Sequence, residues 1–436
     1  MPLVLALTSS LRPTTPRARV LHASELWWLH PSCIVGLVLV PIYLSFLGFD
    51  FASVVKNVYI PSALYAWGLV LMLCMTVGIQ GALAQARSLQ PVAPPRISRA
   101  AMLLLLALTL MAYALWFGPL LAQPQLLAEI VTGTRAQVRD SVSTMPGITT
   151  LTQLGVAYGI AYGIKLGAGV QRVSRVEHAG FALLVLLAMF RAFAWAERLA
   201  VIELLVCFGV ARLAYLPIVR PRRQFAAQVL PALAPFALYL VFTASEYFRS
   251  WDYYVDRYDS IWAFTLDRLI TYYATASNNG IGILVDTHDW PYYNGAFAFK
   301  WAWTMPGLGS LLEAAFGNPR GIENWWLETY ARPEFNSPTA YFRVVLDFGY
   351  FGSVLYFLLL GWLIGHAYAA FRAGQLFGLL LFPVFVLFLV ESLRYSYLGE
   401  TRIVPLMLGL AVLWLDVRRQ RWLALRKRRR SPVRRR

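Results

Sequence analysis

Apolar runs close to the length of a bilayer core recur along the whole of this chain, and no other feature restricts its fold so strongly. We read them at Pro31–Gly48, Ser62–Gly81, Ala101–Ala122, Ile148–Val170 and Ala179–Trp195. They continue at Leu199–Val219, Ala227–Phe242, Phe348–Ala370, Leu376–Leu393 and Ile403–Leu415. A transmembrane helix needs about 20 predominantly apolar residues, and the runs are continuous rather than alternating, which points to helices and away from a β-barrel. Composition agrees: 58% of the 436 residues are hydrophobic and only 14% are charged, too few to cover a soluble protein of this size. The expected fold is an all-α polytopic membrane protein with about ten transmembrane helices. The fourth run is diluted by Lys165 and several glycines, and the fifth is short if Arg191 is left out.

Arginine placement gives an orientation. The tail RRQRWLALRKRRRSPVRRR is strongly basic, which predicts a cytoplasmic C-terminus. Counting back through ten spans puts RPTTPRAR, ARSLQPVAPPRISR, RVSRVEH, VRPRRQ and FRAGQ on the same side, and all are basic. Both termini are therefore expected in the cytoplasm. The net charge of +17 is mostly this cytoplasmic arginine excess, and the basic tail is expected to serve topology and anionic-lipid contact and not nucleic-acid binding. No cleavable signal peptide is evident. Cys33, Cys74 and Cys207 all fall inside apolar runs, so neither a disulfide framework nor a cysteine-rich metal site is expected.

One connection is long. Residues 243–345 are expected to form an outer segment between spans 7 and 8, leaving 1–242 and 346–417 as the spanning parts and 418–436 as the basic tail. Loops of that length are usually functional or disordered, and the density of Trp, Tyr and Phe argues against disorder. In ASEYFRSWDYYVDRYDS, Glu246, Arg249 and Tyr253 have the spacing of one helical face. In FTLDRLITYYATASNNG, Arg268 and Tyr272 lie one turn apart, and Asn279-Gly280 predicts a helix C-cap. GILVDTHDWPYYNG reads as loop, and ENWWLETYARPEF is dense in rings suited either to sugar stacking or to membrane anchoring.

Ionisable residues gather at the outer ends of the spans, where they are costly and mark a cavity or a partner. Arg191 and Arg198 are seven residues apart and would share a helix face, with Glu197 and Glu203 nearby. Glu391 and Arg394 are one turn apart, Glu400 and Arg402 open the last span, and Arg343 and Asp347 have i, i+4 spacing. Structural ion pairs would account for such a set. So would a diphosphate site, because the planar guanidinium fork matches phosphate oxygens and stays charged when desolvated.

ERLAVIELL, TASEYFRSWDYY, DRLITYYATASNNG and NSPTAYFRVVLDFGYFGSVLYFLLLG, in that order, resemble the oligosaccharide repeat unit polymerases, the Wzy-type O-antigen polymerases of bacterial inner membranes. The resemblance runs from about Arg191 to Arg402, roughly half the chain. It implies a GT-C-like membrane glycosyltransferase acting on the periplasmic face without a cofactor. Such an enzyme joins repeat units carried on undecaprenyl diphosphate, with membrane lipid and a chain-length regulator as further partners. Arg191, Arg198, Arg249, Arg394 and Arg402 are then expected to hold the diphosphate, and Arg249 and Arg268 to meet charge on the leaving group. Glu246 is the leading general base, with Asp286 and His288 as rivals. Tyr272, Tyr273, Asn278 and Asn279 are expected at sugar hydroxyls, and Asp347 either orients Arg343 or receives a sugar. No metal is expected, although DTHDW holds two carboxylates and a histidine. An O-antigen ligase, a flippase of lipid-linked glycans and a non-catalytic scaffold are the competing readings.

Overall fold

The computed structural model describes residues 21–22, 26–51, 54–86, 89–123, 125, 144–145, 147–195, 197–215, 217–218, 221–287, 293–317 and 320–430. Within these the regular secondary structure is helical apart from one antiparallel pairing of Leu21–His22 with Pro217–Ile218. In chain order we label α1 Pro31–Gly48, α2 Ala63–Gln85, α3 Arg99–Ala122, α4 Leu154–Ala168, α5 Arg175–Ala194, α6 Leu199–Leu213 and α7 Pro221–Arg249. Then follow α8 Ile261–Asp286, α9 Leu308–Phe316, α10 Arg320–Tyr330, α11 Ala340–Arg372, α12 Leu376–Glu391 and α13 Ile403–Arg430. Helix occupies the body of each of the ten apolar runs. Among the described residues, five helices are long and apolar enough to cross a membrane: α1, α2, α3 (as Arg99–Leu120), α5 and α11.

Caps explain where several of these helices begin. Ser62, Ser98 and Ser260 accept from the backbone N–H of Tyr65, Ala101 and Ala263 at 3.2, 3.1 and 3.2 Å. Ser174 and Glu177 form a reciprocal capping box at the start of α5. Proline shapes α7: Pro231 has no N–H for the carbonyl of Ala227, and the Trp28 indole donates to that oxygen instead at 2.9 Å.

Small residues set the tightest helix pairs. An ideal Cβ on Gly361 would lie 2.0 Å from the Met75 carbonyl oxygen, and one on Gly78 would lie 2.1 Å from that of Leu358. The GWLIG sequence of α11 therefore packs backbone to backbone against α2, as small-xxx-small pairs do in lipid. Gly159, Gly163 and Gly167 of α4 face α6 in the same way, at Leu204, Phe208 and Arg212. Lys165, which diluted the fourth run, is buried in a salt bridge with Glu177.

Four local expectations are corrected. The helix carrying Glu246 stops at Arg249, and Trp251–Tyr254 is a separate turn, so Tyr253 does not continue its face. Asn279-Gly280 does not cap α8, which runs on to Asp286. Both asparagine side chains are held by other segments, and Gly280 and Gly282 make room for Phe342 and Trp326. The sixth run stays helical only to Leu213, because Pro217–Ile218 joins the short pairing. Arg191 and Arg198 lie on either side of a break after Ala194 and share no helix face. A further break, at Gly349 with φ 68°, bends α11 just beyond Arg343 and Asp347.

Candidate functional site: an arginine corner around Tyr272

The sharpest concentration of charge lies where the ends of α6, α7, α8 and α12 meet. Glu246, near the end of α7, is fully buried. Its carboxylate forms an ion pair with Arg198, accepts from Ser250 Oγ at 2.8 Å, and lies 2.9 Å from Arg268 Nε. Arg198 also donates to Ser245 Oγ at 2.8 Å, and Arg268 meets Glu334 at 2.7 Å. One carboxylate thus holds the guanidiniums of two helices in place. Thr243 with Thr265 at 2.9 Å, and Tyr239 with the Trp262 carbonyl at 2.6 Å, fix α7 against α8 alongside.

The ring of Tyr272 is the centre of this corner. The guanidinium carbons of Arg394, Arg268 and Arg198 lie 5.5, 5.9 and 6.0 Å from its centroid. Arg198 also stacks on Phe242 at 4.2 Å, and Arg268 on Tyr254 and Phe335 at 5.4 Å each. Aromatic faces attract cations and fix their position without neutralising them. Burial by itself would lower the pKa of Arg268, but Tyr272 and Glu334 outweigh it and the group is held above its ordinary value.

Arg394 is the least constrained of the three. Its side chain is 36% exposed, and its only ion pair among the described residues is 3.8 Å from Glu391. A multivalent anion approaching Tyr272 would meet one loosely held guanidinium and two rigidly placed ones, a geometry suited to phosphate oxygens.

The remaining candidates fall elsewhere. Arg191 is bound by Glu197 and by Thr152 Oγ1 at 3.0 Å, and it stacks on Trp116 at 5.0 Å. Glu197 therefore serves Arg191 and not Arg198. Glu203 accepts from Gln153 at 2.5 Å and from Tyr397 at 3.1 Å, with Arg402 at 3.6 Å. Thr152, Gln153, Arg191 and Glu203 line a small cavity with Thr109 and Tyr113. Arg343 pairs with Glu323 and, at 3.2 Å, with Glu400, which Lys300 also meets at 3.2 Å.

Several expected roles need correction. Asp347 does not orient Arg343: its buried carboxylate accepts from the backbone N–H of Phe297 at 3.2 Å and Ala298 at 2.6 Å, and so builds a turn. Asn278 is buried between the Tyr59 N–H at 2.8 Å and the Asn57 carbonyl at 2.9 Å, and Asn279 donates to the Phe335 carbonyl at 2.7 Å. Both amides are engaged with backbone atoms of other segments.

Asp286 stands eighteen residues beyond Arg268 on the same helix, about 27 Å along its axis. It accepts from Tyr59 at 2.6 Å and Trp326 at 2.7 Å, and cannot share a site with the arginine corner. Burial and the bond to Asp286 push the Tyr59 hydroxyl up to about 12. Glu246 is fully buried and holds Arg198, Arg268 and Ser250 together. Tyr273, next to Tyr272, is half-buried beside Glu391 and Arg394. His288 and the Arg249 side chain lie outside the described residues.

Sequence reading missed the convergence on Tyr272. Its i, i+4 relation to Arg268 was visible, but Arg198 and Arg394 approach from distant helices. Among the described residues, no three His, Cys, Asp or Glu side chains are grouped to hold a metal ion. No family model, curated protein or solved structure matches the chain.

Proposed function

We propose that this protein is a membrane glycosyltransferase that polymerises lipid-linked oligosaccharide repeat units on the outer face of a bacterial inner membrane. In this reading about ten helices span the bilayer in a GT-C-like arrangement, the basic connections are cytoplasmic, and the arginine corner faces the periplasm. The observation that carries it is the convergence of Arg198, Arg268 and Arg394 on Tyr272 at one end of a membrane bundle. An undecaprenyl diphosphate carrier reaches such a place laterally through lipid, with its diphosphate at the surface and its prenyl chain in the bilayer. The acceptor hydroxyl attacks the anomeric carbon, and the diphosphate leaves. Charge grows on the leaving oxygens, so preorganised guanidiniums give the largest catalytic contribution, with Glu246 keeping two of them in place.

The test is a deletion strain whose surface polysaccharide is resolved by length on a gel. The reading predicts that only single repeat units remain on the lipid anchor. Long polymer accumulating on its carrier would instead identify a ligase. Unchanged polymer would reject glycosyl transfer by this chain.

A further inference from the structure

The acids at this end of the molecule differ in how fully their oxygens are occupied. Both Glu246 oxygens are engaged, as are those of Glu323 and Glu203. Glu391 is different. It is only 4% exposed, yet its Oε2 makes no hydrogen bond among the described residues, and Arg394 approaches no closer than 3.8 Å. Arg394 Nε and the Tyr395 hydroxyl are also buried without hydrogen-bond partners among the described residues.

Glu391 is the last residue of α12 and the other two atoms belong to the turn that follows it; the backbone of that turn is firmly fixed. The Ser392 carbonyl accepts from Ala340 N–H at 3.1 Å and from Thr339 Oγ1 at 3.0 Å. Polar atoms enclosed without partners cost free energy, and three at one rigid turn mark a place built for a polar ligand. The turn adjoins the corner directly, because Arg394 reaches from it onto Tyr272.

We infer that this turn is the acceptor site and that Glu391 is the catalytic base. The inference rests on the glycosyl transfer proposed above. The acceptor sugar oxygen forms a bond to the anomeric carbon as the bond from that carbon to the diphosphate oxygen breaks. The electron pair leaves with the diphosphate, beside Arg394, Arg198 and Arg268, and the hydroxyl proton passes to Glu391 Oε2. The Tyr395 hydroxyl holds the acceptor oxygen. Arg394 also acts as a cover: when the donor diphosphate draws its guanidinium away, Glu391 is exposed to the acceptor, so the donor binds first.

The experiment uses the full chain in nanodiscs, with lipid-linked repeat units extracted from the deletion strain as substrate and undecaprenyl diphosphate as the binding probe. Glu391→Gln should slow elongation by about 100-fold or more and remove the acid limb of the rate–pH profile. Undecaprenyl diphosphate binding should stay within about twofold, because the diphosphate-facing arginines remain. Elongation within about threefold of wild type overturns the inference. So does joint loss of binding and rate with the acid limb intact, which would make Glu391 a positioning residue for Arg394. Should Glu391→Gln not fold, Tyr395→Phe decides: a KM for the acceptor raised several-fold supports the site, and an unchanged KM overturns it. Failure of the wild-type protein to elongate at all rejects the transfer reading, and this inference with it.

Discussion

Arg343 and Arg394 are both arginines beside a glutamate at the end of an apolar helix, and the molecule treats them in opposite ways. Arg343 is enclosed: Glu323 takes two of its nitrogens, Glu400 a third, and Lys300 balances the remaining charge. Among the described residues Arg394 has one long ion pair and an unpartnered Nε, and a third of its side chain is exposed over Tyr272. The first is a lock joining α10, α11 and the turn before α13. The second has capacity left for a ligand. An arginine next to an acid therefore says little about function until the occupancy of its donors is known.

The largest expected effect falls on the carboxylate beneath the open corner. Glu246→Ala leaves Arg198 and Arg268 without their shared counter-ion, a change that costs about 3–5 kcal/mol when a buried pair is broken. Elongation should drop by about 100-fold or more and the melting temperature should fall with it. Elongation in membranes that matches wild type would show that the arginines do not need Glu246.

Arg343→Ala should sharpen the contrast. It leaves Glu323 and Glu400 without their guanidinium, so the melting temperature should fall by an amount similar to that in Glu246→Ala. Per folded molecule, elongation should stay within about threefold of wild type. A specific loss of elongation at full stability would move Arg343 from lock to site.

The smallest effect concerns acid. Burial pushes the Glu400 carboxyl up, but Arg343, Lys300 and Arg402 outweigh it and hold it below its ordinary value of 4.5. A depressed folded-state pKa means that the stabilisation is complete above the unfolded value and is lost as pH falls through the folded one. Melting temperatures should carry no Glu400 contribution to their slope between pH 7 and 5, and should decline below about pH 4.5. Lys300→Ala should make that decline shallower, and an unaltered decline would remove the Lys300–Glu400 pair from the account.

Much of the fold was legible because lipid imposes a length and a hydropathy on each helix, and the caps at Ser62, Ser98, Ser174 and Ser260 are local in sequence. The GWLIG contact was present in the sequence too, but its partner face around Met75 and Gly78 lies far away in the chain. The site was legible as residue types and not as pairings. Glu246 beside Arg249 suggested a base, whereas its partners Arg198 and Arg268 come from other helices. Asn278, Asn279 and Asp347 looked like sugar ligands because polar residues in an aromatic segment invite that reading. Their hydrogen bonds go to backbone atoms between 49 and 221 residues away, a separation that no local spacing reports.

The central claim is that the Tyr272 corner receives a lipid diphosphate, and titration of purified protein in nanodiscs with undecaprenyl diphosphate tests it most directly. The account predicts saturable binding by wild type, a loss of at least about tenfold in Arg394→Ala, and binding within about twofold in Lys300→Ala. Equal affinity for wild type and Arg394→Ala, or a loss confined to Lys300→Ala, would contradict it.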